Sequence, residues 1–177
     1  MKWGIGVLTD MESDRRDDVG TIALDDARGY FKELAAPSFI EFWSEYQEDI
    51  PVDIGRYSFI YRRLITALFF LNHMTDKVAT QRGFKKPEDV IAAVKSMDMK
   101  AGIALDVCRQ LTNDVKHLKN QPQTYGVRER SDTDNVGDNQ LPTWIFTDKS
   151  GRDYDLCDVA YDVWSYWLDN RHQRKST

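Results

Sequence analysis

The sequence predicts a mainly α-helical fold: a bundle of about five helices with a β-hairpin near the C-terminus and one more helix after it. Three observations carry this. Apolar residues recur at helical spacing in at least four segments, whereas one stretch alone, Trp144 to Asp155, reads as a pair of strands around a glycine-containing turn. A length of 177 residues, 41% hydrophobic and 30% charged, suits one domain with its own core.

Residues 1–22 read as an N-terminal extension and 23–177 as the helical domain. In the extension, Lys2 to Thr9 suits a short strand, and Asp10 to Gly20 is rich in Asp, Glu and Arg and suits a solvated connector. Ala27, Tyr30, Phe31 and Leu34 mark a first helix, and Pro37 opens a second segment with Phe39, Ile40, Trp43 and Tyr46. Pro51 and Gly55 mark the next break. The longest helix is expected from about Arg56 to Thr80, with Tyr57, Ile60, Leu64, Ala67, Leu68, Leu71, Met74 and Val78 on one stripe. Phe69 and Phe70 widen its apolar surface beyond that stripe, which predicts a central position or a second partner. We therefore expect a homodimer through this helix, near Phe69 and His73. Gly83 suits a left-handed cap at its end.

Lys86-Pro87-Glu88-Asp89 opens a short helix to Val94, and another follows from Met99 to Leu118. Residues 120–140, rich in Gly, Pro, Asn and Asp, read as a long loop. Asp148-Lys149-Ser150-Gly151 is the turn of a two-stranded hairpin, and Asp155 caps the final helix, whose apolar face runs from Leu156 to Leu168.

The net charge of −5 provides no global basic field for nucleic acid, so an RNA or DNA partner would have to use a local patch. Cys108 and Cys157 fit no C-x-x-C pattern and read as reduced thiols of a cytoplasmic protein. No apolar run approaches membrane-spanning length. No metal-ligand spacing, phosphate loop or nucleophile elbow is present, and no cofactor is expected.

Chemistry concentrates in Arg109 to His117. There Ala104, Cys108, Leu111, Val115 and Leu118 form a core stripe, while Asp106, Arg109, Asn113 and His117 stack on the opposite face. A guanidinium, an amide and an imidazole pointing one way can hold a phosphate and move a proton near neutral pH. The same spacing also describes a solvated or helix-packing face. A second polar set on the long helix, Arg62, Thr66, His73 and Asp76, offers further substrate contacts if the two faces meet, or an ordinary local His73–Asp76 pair.

The order of signals is itself informative: Ala27-Arg28-x-x-Phe31, Pro37-x-x-x-Glu41-Phe42, His73-Met74-Thr75-Asp76, Asn113-Asp114-Val115-Lys116-His117, then Gly151 to Asp158. It resembles a group of bacterial helical proteins similar to HEPN domains, the four- or five-helix units of toxin–antitoxin, CRISPR and other defence systems. The resemblance spans about Leu24 to Leu168. It implies metal-independent RNA cleavage by an Arg-x(4–6)-His motif, with a polar residue after the Arg, on two helices that meet across a dimer. His117 matches the His and Asn113 the polar residue, but Thr112 occupies the Arg position. Arg109 stands one turn early, with seven residues between it and His117.

Two readings follow. In one, the chain is RNA-directed in a defence or toxin–antitoxin system, with His117 as general acid/base, Asn113 orienting, Arg109 or Lys116 facing phosphate, and His73 and Arg62 adding contacts. In the other, it is a non-catalytic interaction or dimerisation module, with an antitoxin or other protein as partner.

Overall fold

The computed structural model describes residues 24–117 and 124–170. The expectations for Lys2 to Thr9, Asp10 to Gly20 and Leu118 lie outside these residues. Five helices and a three-stranded sheet make up the described chain.

Helix α1 is one continuous run in three pieces: Ala27–Tyr30 in α geometry, a π-helical turn over Phe31–Ala35, and Ala36–Gln47 in α geometry again. The Asp26 carboxylate caps it by accepting from the Gly29 amide at 2.6 Å. Pro37 stands in the first turn of the second α stretch, as expected, but the π-helical turn joins that stretch to the first without a break. A proline inside a helix removes one hydrogen bond and crowds the carbonyl four residues back. Here the wider turn absorbs that misfit, with the Ala36 amide reaching back to the Phe31 carbonyl. Phe39, Phe42 and Tyr46 on this run are fully buried.

Helix α2 (Ile54–Arg82) is capped by Asp53, which accepts from the Arg56 amide at 2.7 Å, and ends at Gly83 with φ of 74°. Its expected stripe is buried from Ile60 to Val78. It packs against α1, α3 (Pro87–Met97), α4 (Met99–Lys116) and α5 (Leu156–Asn170), so it is central. Four neighbours account for apolar residues around most of its circumference. Phe70 packs on Tyr30 with ring centroids 6.2 Å apart, and Phe69 is half-buried.

Helices α3 and α4 meet at a sharp corner, where Asp98 ends one and caps the other through the Ala101 amide at 3.0 Å. Gly102 lets them approach closely: a Cβ there would sit 2.6 Å from the Lys95 Cα.

The sheet is antiparallel in the order β1 (Thr124–Arg128), β2 (Leu141–Thr147), β3 (Asp153–Asp155). The hairpin β2–β3 is the expected one, with Gly151 at φ of 82° and the Asp148 carboxylate accepting from the Ser150 and Arg152 amides. The third strand corrects the reading of residues 120–140 as a loop throughout. Tyr125-Gly126-Val127 alternates over too few residues to stand out among polar neighbours, and its pairing partner lies across the long segment to β2. Asp155 caps α5 by accepting from the Cys157 amide at 2.9 Å. Trp164 of α5 stacks on Phe39 with centroids 4.6 Å apart, closing the bundle against α1. Among the described residues, no helix is long and apolar enough to cross a membrane.

Candidate functional site

The polar face of α4 divides in two. Its upper half is committed to α3. Asp106 accepts from Lys95 Nζ at 2.7 Å, and Arg109 donates through Nε at 3.0 Å and Nη2 at 2.6 Å to the same Glu88 oxygen. The Glu88 carboxyl is held below its ordinary range, first by its own backbone N–H at the start of α3 and then by Arg109. Thr112 is fully buried, and its hydroxyl donates to the Arg109 carbonyl at 3.1 Å.

The lower half faces water. Asn113, Lys116 and His117 are exposed where α4 ends. The His117 amide closes the helix on the Asn113 and Asp114 carbonyls at 3.1 and 3.2 Å. Carbonyl ends of a helix favour positive charge, and Lys116 supplies it. Its Nζ lies 5.7 Å from the Phe69 ring centroid, which gives that half-buried ring a cationic neighbour. The structure therefore brings Asn113, Lys116 and His117 together and places the Arg109 guanidinium with Glu88.

The second polar set, on α2, is not one site. His73 Nδ1 pairs with Asp76 Oδ2 at 3.1 Å, and the His73 ring lies 5.2 Å from that of Tyr30. Burial, aided by Asp76, pushes the Tyr30 hydroxyl up to about 12. Arg62 lies eleven residues earlier, roughly 16 Å along the helix axis. It lines a shallow groove of about 260 Å³ with Ser38, Glu41, Phe59, Arg63 and Thr66. Arg63 spans that groove, pairing with Glu41 at 2.7 Å and lying 4.7 Å from the Phe59 centroid.

Spacing along the chain gave no sign of an extended polar assembly at the end of α1. Arg128, on β1, donates to both oxygens of Asp134 at 2.7 and 3.0 Å and to the Tyr46 hydroxyl at 3.2 Å. Gln47 donates to Asp134 at 2.8 Å and accepts from the Asn135 amide at 2.9 Å. Arg130 donates to the carbonyls of Gln47, Glu48, Asn135 and Asn139, and Asp49 accepts from the Asn139 amide. Burial opposes the Asp134 charge, but hydrogen bonds from Arg128, the Ser131 amide, Gln47 and the Ser131 hydroxyl outweigh it and hold the carboxyl well below its usual range. Behind it, burial pushes Tyr46 and Cys157 far above their ordinary values. These partners satisfy one another, so the assembly fastens the arm 124–140 to the end of α1.

A wider groove of about 710 Å³ lies between α4, β3 and α5. Asp153, Asp155, Asp158 and Asp162 line it, against Lys100 and Arg152. Lys100 is already paired with Asp162 at 2.7 Å, so the face is acidic and repels phosphate. Compared with protein-family models, with curated proteins and with solved structures, the chain matches none.

Proposed function

We propose that this chain is a HEPN-like helical module that works by binding a protein partner, without cutting RNA. The observation that supports this is the fate of the arginine. The motif position holds Thr112, buried and bonded to its own helix, and the nearest guanidinium, Arg109, gives two N–H groups to Glu88. Lys116 leaves an ammonium near His117, but a point charge does not replace the two-pronged guanidinium that the motif uses to stabilise the phosphate. An antitoxin or other protein of a defence system is the class of partner that the resemblance suggests.

A second, RNA-directed reading draws on Asn113, Lys116 and His117, which stand exposed together at the end of α4. One metal-free RNA-cleavage assay separates the two. Wild type, His117→Ala and Glu88→Ala, which removes the acceptor of Arg109, should all leave RNA uncut. Cleavage by wild type that falls about 10²–10⁴-fold in His117→Ala would overturn the binding reading.

A further inference from the structure

We propose that β1 is a self-pairing edge through which two copies of this chain join their sheets, antiparallel, about a two-fold axis at Gly126. This stands independently of whether His117 acts on RNA.

The two edges of the sheet differ. β3 is three residues long and carries Asp153 and Asp155, which are the short length and charge that protect an edge. β1 has five residues and no proline, and its one charge, Arg128, is bonded to Asp134 and Tyr46. It pairs with β2 alone, and among the described residues no backbone hydrogen bond is made along its other edge. An exposed strand edge is a template for another strand.

The side chains agree with the backbone. Tyr125 is registered opposite Trp144, and Val127 opposite Pro142, so all four project from one face of the sheet. On β2 that face is covered, with Trp144 3% exposed; on β1 it is open, with Tyr125 71% and Val127 49% exposed. The apolar face of the sheet thus runs past the helices and stops in water. Tyr125 touches the Tyr57 ring at 5.3 Å, and Ile54, one turn before Tyr57, is 88% exposed. Tyr125, Val127 and Ile54 together offer on the order of 400 Å² of apolar surface. That is about half of the ~800 Å² a standard interface takes from each partner, the remainder falling to the paired backbones and flanking residues.

A second copy fits this edge because the strand is complementary to itself. Antiparallel pairing centred on Gly126 sets Tyr125 opposite Val127 of the other copy, twice by symmetry. An aromatic facing a β-branched residue is a favourable cross-strand pair. No charge opposes another, since Arg128 is engaged inside its own copy. Within one copy a Cβ at Gly126 would meet only the Thr143 hydroxyl, at 3.7 Å, so a side chain placed at the two-fold position fits its own copy. The arm is already fastened through Arg128 and Arg130, so pairing orders little additional chain.

The test is sedimentation velocity on the full chain through the micromolar range, with Gly126→Cys as a register probe. Opposed residues at an antiparallel two-fold lie about 4.5–5.5 Å apart at Cα, within disulfide reach. Cys108 and Cys157 are buried and do not compete. Wild type should dimerise, Tyr125→Lys and Val127→Lys should weaken the dimer at least about tenfold with the fold intact by circular dichroism, and Gly126→Cys should cross-link under mild oxidation while Ser150→Cys does not. A wild-type monomer throughout the range overturns the proposal. So does a dimer that Gly126→Cys fails to cross-link, which would move the interface elsewhere, including to the Phe69 face of α2. Should the lysine variants unfold, the cysteine pair alone decides.

Discussion

Replacing Asp134 by alanine is expected to loosen the arm 124–140 from the helical body at a cost of about 2–3 kcal/mol. The Asp134 side chain is 2% exposed and accepts five hydrogen bonds: two from Arg128, two from Ser131 and one from Gln47. Without it, Arg128 keeps the Tyr46 hydroxyl and the Glu129 carbonyl, with its side chain 24% exposed. Removing one partner of a buried ion pair costs about 3–5 kcal/mol, and the remaining acceptors and partial hydration place this case at or just below that range. Urea unfolding should show the midpoint falling with an unchanged slope. The paired replacement Arg128→Met with Asp134→Leu should recover most of the loss, because it leaves no uncompensated charge. The pH dependence has a definite sign. A carboxyl held below its unfolded value stabilises the fold above the ordinary carboxylate range, and that contribution is lost as pH falls through its folded value. Asp155 and Asp158 are raised by burial and contribute in the opposite sense, so the difference between wild type and Asp134→Asn isolates the group. A loss under about 1 kcal/mol for Asp134→Ala, or a double variant no better than the single one, would refute the fastening role.

Two further outcomes follow from packing. Gly102→Ala should destabilise by a net ~1–2 kcal/mol in the same unfolding assay, since overpacking against Lys95 backbone at 2.6 and 2.7 Å exceeds the ~1 kcal/mol gained in helix propensity. Gly55→Ala, which meets only Asp53 Oδ1 at 3.4 Å, serves as the control and should lose nothing. Cys108 and Cys157 are both buried, with thiols pushed up by desolvation. A colour-forming thiol reagent should therefore titrate neither in the native protein and both in denaturant, and fast native labelling would contradict their burial.

The helical elements were legible in the sequence because they declare themselves locally. Asp155 stands where a carboxylate can accept from the first turn, and Gly83 stands where the chain must turn left-handed, whereas the caps at Asp53 and Asp98 emerge from the structure. The stripe from Ile60 to Val78 repeats often enough to outweigh Phe69 and Phe70. The π turn before Pro37 was not legible because it depends on tertiary packing, with Phe31 and Ala35 both buried. β1 was hidden for a related reason: five residues carry little periodicity, and a strand exists only by virtue of its partner across residues 129–140.

The candidate site was less legible than the fold, and Arg109 shows why. Helical spacing correctly placed Asp106, Arg109, Asn113 and His117 along one side of α4, but it is silent on what faces that side at each height. The corner at Asp98 folds α3 back along α4, with Gly102 allowing the two backbones to touch. Glu88 and Lys95 thereby arrive beside Arg109 and Asp106, pairing charges 21 and 11 residues apart in sequence. Below the reach of α3, no such partner meets Asn113 or His117 among the described residues, and both side chains are exposed. One periodic pattern thus produced a packing interface at one end and a solvated end at the other. The division lies where the shorter helix begins at Pro87, which the sequence marked without showing which neighbour it would serve.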